Sequence, residues 1–167
     1  MRCGRPYRTI TRDHERGVRV SYLALQSGVF ASPGSAELFL LGRVLFGGVL
    51  AFMGLNHFSN LEDMAGYAGM KGVPMPRLAV AFTGGLLVLG GLSVVLGAYV
   101  VLGAGALALF LLASAVGMHD FWTVEDPQQQ QTEMTQFLKN VTLAGAAAGL
   151  VALGGITWPY AVGIGLF

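Results

Sequence analysis

Two histidines stand out in a chain that has few other groups able to do chemistry. His57 closes the stretch MGLNHF. His119 sits in GMHDFW, next to Asp120 and just before Phe121 and Trp122. An imidazole titrates near neutral pH, hydrogen-bonds polar ligands and ligates metals. With Asn56, Asp120, Trp122 and Asn140, the two histidines form a candidate site. Met53 and Met118 lie close to them in sequence, and thioether plus imidazole suits Cu(I). Methionine also fills gaps in helical packing, and no four-ligand zinc spacing occurs, so the metal reading is the minor one. Adjacent helical residues diverge by roughly 100°, so His119 and Asp120 are not a preformed acid–base couple. No nucleophile elbow, phosphate loop, dinucleotide fingerprint or HExxH is present. Cys3 is the single cysteine, which rules out an internal disulfide and a CxxC pair. Nothing here marks an autonomous enzyme, and no catalytic residue is assigned.

The elements that must position these residues are apolar. The chain has 167 residues, 54% hydrophobic and 11% charged, against roughly 25% charged in an ordinary soluble domain. A net charge of +1 gives no field for nucleic acid. Residues 1–35 form an arginine-rich leader, read as a cytoplasmic, disordered segment. Residues 36–58 are long enough for one span, with Arg43 as its one internal charge. From Leu78 to Met118 no residue carries a formal charge. That length fits two spans, near 77–97 and 100–119, joined by a tight turn in GAYVVLG. A fourth span is expected near 136–155, preceded by a polar segment, 120–136, in which Asp126 and Pro127 signal a helix start. Between spans one and two, Ser59 and Glu62 have capping-box spacing. They predict a short helix from about Asn60 with Leu61, Met64, Ala65 and Ala68 on one face, stopped by Gly69 and Gly72. The fold class is therefore all-α: an integral membrane four-helix bundle, residues 36–155, with a short interfacial helix. Residues 156–167 are a short cytoplasmic tail, with Trp158 and Tyr160 as an aromatic belt. The leader arginines put both termini in the cytoplasm and the protein in the cell membrane.

Helical spacing predicts which faces turn inward. In span one the face reads Arg43, Gly47, Leu50, Gly54, His57. In span three it reads Gly105, Ala108, Leu112, Ala115, His119. In span four Asn140, Ala144, Ala147 and Val151 align, and Gly145 and Gly149 make a GxxxG pair. Small residues let membrane helices approach closely. His57, His119 and Asn140 then meet at the outer end. Arg43 either snorkels to the cytoplasmic interface or serves as a buried anchor. It lies fourteen residues before His57, about 21 Å along a helix, so the two do not share one site.

The ordered set LGRVLFGGVLAFMGLNHF, GVPMP, LLVLGGLSVVLG, GMHDFW and FLKNVTLAGAAAGLVAL resembles the DoxX family over about residues 37–155. The resemblance implies a small four-helix membrane protein. It also implies an association with quinol oxidase, thiosulfate:quinone oxidoreduction or oxidative-stress complexes. The positions it carries over are Arg43, Gly54, Asn56, His57, Gly91, His119, Asp120, Phe121, Trp122, Lys139 and Asn140. Two departures stand out: many members have lysine at His57, and many have a glutamate about where Leu87 stands, which would be a natural partner for Arg43. The expected function is that of an accessory subunit of a quinone-linked redox system, working with membrane redox partners and a quinone. The alternative is a non-catalytic scaffold or small-solute carrier.

Overall fold

The structure is a computed structural model that describes residues 28–165. The expected leader falls almost wholly outside them. The chain forms two compact units, Met1–Leu38 and Phe39–Phe167; the second carries everything described below. Among the described residues the secondary structure is helical. The helices are α1 (Ser35–Ser59), α2 (Leu61–Met70), α3 (Pro76–Leu96), α4 (Val100–Met118) and α5 (Pro127–Ala152), with a 3-10 turn at Phe121–Thr123.

Three segments are long and apolar enough to cross a membrane: α1, α3, and α4 with its 3-10 continuation. Their outward faces carry large apolar side chains, among them Phe52, Phe82, Leu89 and Leu109, each about two-thirds or more exposed. Water would not tolerate such patches at this density, whereas lipid tails solvate them. The chain is a membrane protein. α5 is the longest helix, but its first turns, PQQQQTEMTQ, are polar, and the expected fourth span near 136–155 is its apolar second half.

α1 and α3 run antiparallel and touch backbone to backbone. A Cβ on Gly54 would sit 2.6 Å from the carbonyl oxygen of Gly84 and 2.8 Å from Val88. A Cβ on Gly47 would run into the Gly91 carbonyl. Leu50 and Leu87 fill the space between the two glycine crossings, each 1% exposed. The buried face of α1 is Arg43, Gly47, Leu50, Ala51 and Gly54, in agreement with the spacing argument. The buried face of α5 is Asn140, Ala144 and Ala147, also as expected.

Two expectations fail. α4 buries Val100, Ala104, Leu107, Leu111 and Ala115, one residue round from the predicted face, and Leu112 is exposed. The helix is apolar all round, so nothing in its sequence distinguishes core from lipid. Gly145 and Gly149 meet nothing within 4 Å. The GxxxG pair of α5 faces outward, away from the Asn140–Ala144–Ala147 seam that packs against α4.

The connections follow local chemistry. The turn between α3 and α4 holds two left-handed residues, Gly97 at φ 66° and Tyr99 at φ 51°. It falls within the predicted GAYVVLG. Asp126 caps α5, accepting from the Gln129 N–H at 2.8 Å, with Pro127 in the first turn. α2 starts after Asn60 and buries Ala65 and Ala68 against Val80, with Leu61 and Met64 alongside. It lacks the expected capping box: the Ser59 hydroxyl donates back to Leu55 O instead, because α1 continues through Ser59 and ties up that side chain.

Candidate functional site

Arg43 is a buried anchor at the end of the molecule where α3 stops. It is 1% exposed and does not snorkel. Its guanidinium donates from Nε to Val94 O at 3.0 Å, from one terminal nitrogen to Val95 O at 2.7 Å and from the other to Pro159 O at 2.8 Å. All three acceptors are carbonyl oxygens, and two belong to the last turn of α3, where the helix dipole is negative. The guanidinium also lies 5.0 Å from the Trp158 ring centroid and 5.8 Å from that of Phe39. Trp158 is accordingly 6% exposed. It packs edge-on to Phe39 at 4.9 Å and donates its indole N–H to Leu153 O at 2.8 Å. It seals this end and is not a belt residue; Tyr160 is the exposed aromatic, at 62%. Residues past α5 fold back onto the helix ends: Val162 N–H donates to Leu96 O, and Tyr99 N–H to Ile164 O.

Leu87 corrects a further expectation. It sits two turns from Val94 on α3, about 10 Å at 1.5 Å per residue, and it lines a cavity at the opposite end. An acid there would face the cavity. Arg43 has already met its needs with carbonyls.

That cavity is the candidate site. Its volume is about 720 Å³, within the range of small-molecule sites. It is walled by apolar residues of α1 to α4, among them Leu50, Met64, Val80, Phe110 and Leu111. His57, Tyr67, Thr83, His119, Lys139 and Asn140 bring polar groups to it. Three of the six predicted site residues therefore meet: His57, His119 and Asn140. They do so because each ends a buried seam at the same end of its helix.

Asn56, Asp120 and Trp122 do not line it. Asn56 is exposed, and its Oδ1 accepts from Asn60 at 2.7 Å. Asp120 turns to the rim and pairs with Lys71 and with Thr123. Trp122 is 54% exposed and stacks edge-on with Phe121 and Phe137, at 5.1 and 5.9 Å between centroids. That aromatic cluster holds the 3-10 turn to α5.

Glu133 is the residue that spacing arguments missed. Its Oε2 lies 2.8 Å from His119 Nδ1, and its Oε1 accepts from the Tyr67 hydroxyl at 3.3 Å. The clue was available, since Glu133, Phe137, Asn140, Ala144 and Ala147 follow one another at helical steps of four and three. The face was cut short because 120–136 was treated as a connecting segment.

The polar groups thus form a continuous cluster over the cavity mouth, running His119–Glu133–Tyr67 and on to Lys71 and Asp120. Burial, reinforced by the Glu133 carboxylate, pushes the Tyr67 phenol above its ordinary range. The hydrogen bond to Asp120 raises the Lys71 ammonium above the usual lysine range. His57 is held separately, its Nδ1 2.8 Å from Met53 O. The Cu(I) candidates His57, His119, Met53 and Met118 all border the cavity. Among the described residues, no group of three or more His, Cys, Asp or Glu could hold a metal ion.

Residues 38–120 match the DoxX family model. The match takes in Arg43, both glycine crossings, His57 and His119. Glu133, Lys139 and Asn140 lie beyond it. No curated protein and no solved structure matches the chain.

Proposed function

The chain belongs to the DoxX family, and from that premise we propose that it is an accessory subunit of a quinone-linked membrane redox system, with its outer-end cavity as the quinone site. The observation that carries this reading is the cavity itself: about 720 Å³, apolar walls for a lipophilic ring and tail, and two imidazoles at the polar end. A quinone needs that combination, a greasy slot with a few groups able to reach its oxygens.

The reading includes the membrane topology. α5 supplies the fourth span and completes a four-helix bundle. In support, Asn140, Ala144 and Ala147 are buried against the other helices, which leaves the apolar half of α5 no free end outside the layer. Both termini then lie on one side of the cell membrane. The six arginines before span one mark that side as cytoplasmic, and the cavity opens toward the other. Phe121 and Trp122, in the turn at the rim, present an exposed aromatic surface to redox partners in the membrane complex.

The test is purification from native membranes in mild detergent, followed by lipid extraction and identification of bound quinone. Co-purifying quinone in the wild type, lost in His57→Phe and His119→Phe, is the expected result. Wild-type protein that neither carries quinone nor takes it up from supplemented micelles sinks the proposal and favours the scaffold or carrier reading.

A further inference from the structure

The polar lining of the cavity has a chemical direction. His57 Nδ1 sits 2.8 Å from Met53 O. A backbone carbonyl only accepts, so this contact requires the proton on Nδ1. His119 Nδ1 sits 2.8 Å from Glu133 Oε2, and an ionised carboxylate likewise only accepts. In a neutral imidazole with the proton on Nδ1, Nε2 is a bare lone pair. Both rings therefore offer the cavity an acceptor.

Two hydroxyls in the lining behave the same way. Tyr67 has one proton, and its two partners, Met118 O at 3.2 Å and Glu133 Oε1 at 3.3 Å, are both acceptors. Thr83 gives its proton to Ala79 O at 2.9 Å or Val80 O at 3.1 Å. Neither has a proton left for a ligand. Lys139 is a donor at the edge of the cavity and already donates to Gln136. An ammonium serves a carbonyl and a hydroxyl oxygen alike, so it does not discriminate between them.

We infer that the cavity selects the reduced, hydroxyl-bearing form of its ligand, an aromatic diol of the hydroquinone class, and that Glu133 is the positioning residue that makes His119 an acceptor. A quinol brings two O–H donors to this set of lone pairs. A quinone brings only carbonyl oxygens, which cannot bond to lone pairs, and the imidazoles facing it are left unmatched. Met53 O does for His57 what Glu133 does for His119. The inference rests on the quinone reading of the cavity and adds to it a preferred redox state and a residue outside the family-matched segment.

The experiment uses the full chain in lipid nanodiscs, under argon at pH 8, where an ordinary imidazole is neutral. Equilibrium dialysis measures the affinity for a short-chain benzoquinone and separately for its quinol. The quinol is expected to bind about tenfold tighter, the effect of one hydrogen bond made instead of left unmade. In Glu133→Leu the preference should fall toward unity while the quinone's own affinity stays within about twofold, because the lost term belongs to the hydroxyl alone. Equal affinities in the wild type, or tighter quinone, overturn the inference and leave the quinone cavity standing. Failure of both forms to bind overturns both. An unchanged preference in folded Glu133→Leu removes Glu133 from its role. Should that variant not fold, nitrogen-15 spectra of histidine-labelled wild type decide: Nε2 of both rings is expected in the unprotonated range, and a protonated Nε2 on His119 overturns the assignment.

Discussion

Arg43 and His57 lie on the same face of α1, yet the two ends of that helix solve opposite problems. At the Arg43 end a full charge is buried, and each of its three nitrogens has a carbonyl oxygen within 3.0 Å. Trp158, Phe39 and the folded-back chain after α5 close the space around it. At the His57 end the polar groups are only half-buried and the space between them is hollow. Each imidazole has one nitrogen fixed by the protein and one facing no protein partner among the hydrogen bonds described. An intramembrane charge is a functional suspect by default, but here the charge is structural. The weaker polar groups, with hydrogen-bonding capacity left over, make the site.

The largest effect expected from breaking this contrast is at Arg43. Arg43→Met would leave the Val94, Val95 and Pro159 carbonyls without their donors in an apolar setting. Bonds to a charged donor are worth roughly 1.5–3 kcal/mol each, so the loss should reach about 3–5 kcal/mol after relaxation. Arg43→Lys should recover only part of it, since an ammonium cannot reproduce the planar fork. Thermal unfolding in detergent reads the loss. The folded fraction should still take up ligand at the far end, about 21 Å away along α1. Ligand uptake that fell in step with a still-folded Arg43→Lys would join the two ends and break the comparison.

The glycine pairs come next, because they set the helix spacing that leaves the far end hollow. Gly47→Ala would push a methyl into the Gly91 carbonyl and should cost about 1–3 kcal/mol, as overpacking does. Gly145→Ala meets open space and should cost nothing, with up to about 1 kcal/mol of helix propensity in its favour. A loss at Gly145 as large as that at Gly47 would mean that α5 uses its outer glycines against another chain.

How far the sequence revealed these two ends depended on polar markers. The α1 face could be read because Arg43, Gly47, Gly54 and His57 fall at helical steps among bulky neighbours. The α5 face could be read from Asn140 for the same reason. α4 has no marker between Val100 and Met118, and its face was placed one residue out. Glu133 was missed because a polar run was taken to be a loop, although Asp126 and Pro127 announced the helix before it. Trp158 was taken for an interface ring; its role depends on the chain after α5 folding back, which local pattern cannot supply. The vacant acid position at Leu87 invited a pairing with Arg43 that the α3 register rules out.

That last point gives a sharper and smaller prediction. Leu87→Glu should place a carboxyl against Leu50 in the cavity wall and destabilise the protein on its own. It should do so by nearly the same amount in an Arg43→Lys background. A double-mutant cycle on unfolding free energies is expected to give a coupling below about 0.5 kcal/mol, the scatter of independent sites. A clearly favourable coupling would show that an acid on α3 can reach the arginine, and that the two ends communicate through the α1–α3 seam.

The smallest effect concerns the rim, where Lys71 and Asp120 bridge α2 to the end of α4. The pair is partly exposed, with side-chain accessibilities of 20% and 28%, so solvent screens it and its contribution is that of an ordinary surface ion pair. Its sign is still fixed. The hydrogen bond to Asp120 raises the Lys71 ammonium above its ordinary range in the folded state. Folding therefore gains from the charged lysine in full below the unfolded value, roughly 10.4, and loses that gain as pH rises through the higher folded one. Lys71→Met should unfold slightly more easily than wild type near neutral pH, and the two unfolding curves should converge in strong alkali. Raising the salt concentration should narrow the neutral-pH gap as well, whereas neither treatment should touch the loss caused by Arg43→Met, whose partners are carbonyls buried away from ions and protons. A wild-type advantage that grew with alkali would mean that the lysine is held by something other than its charge.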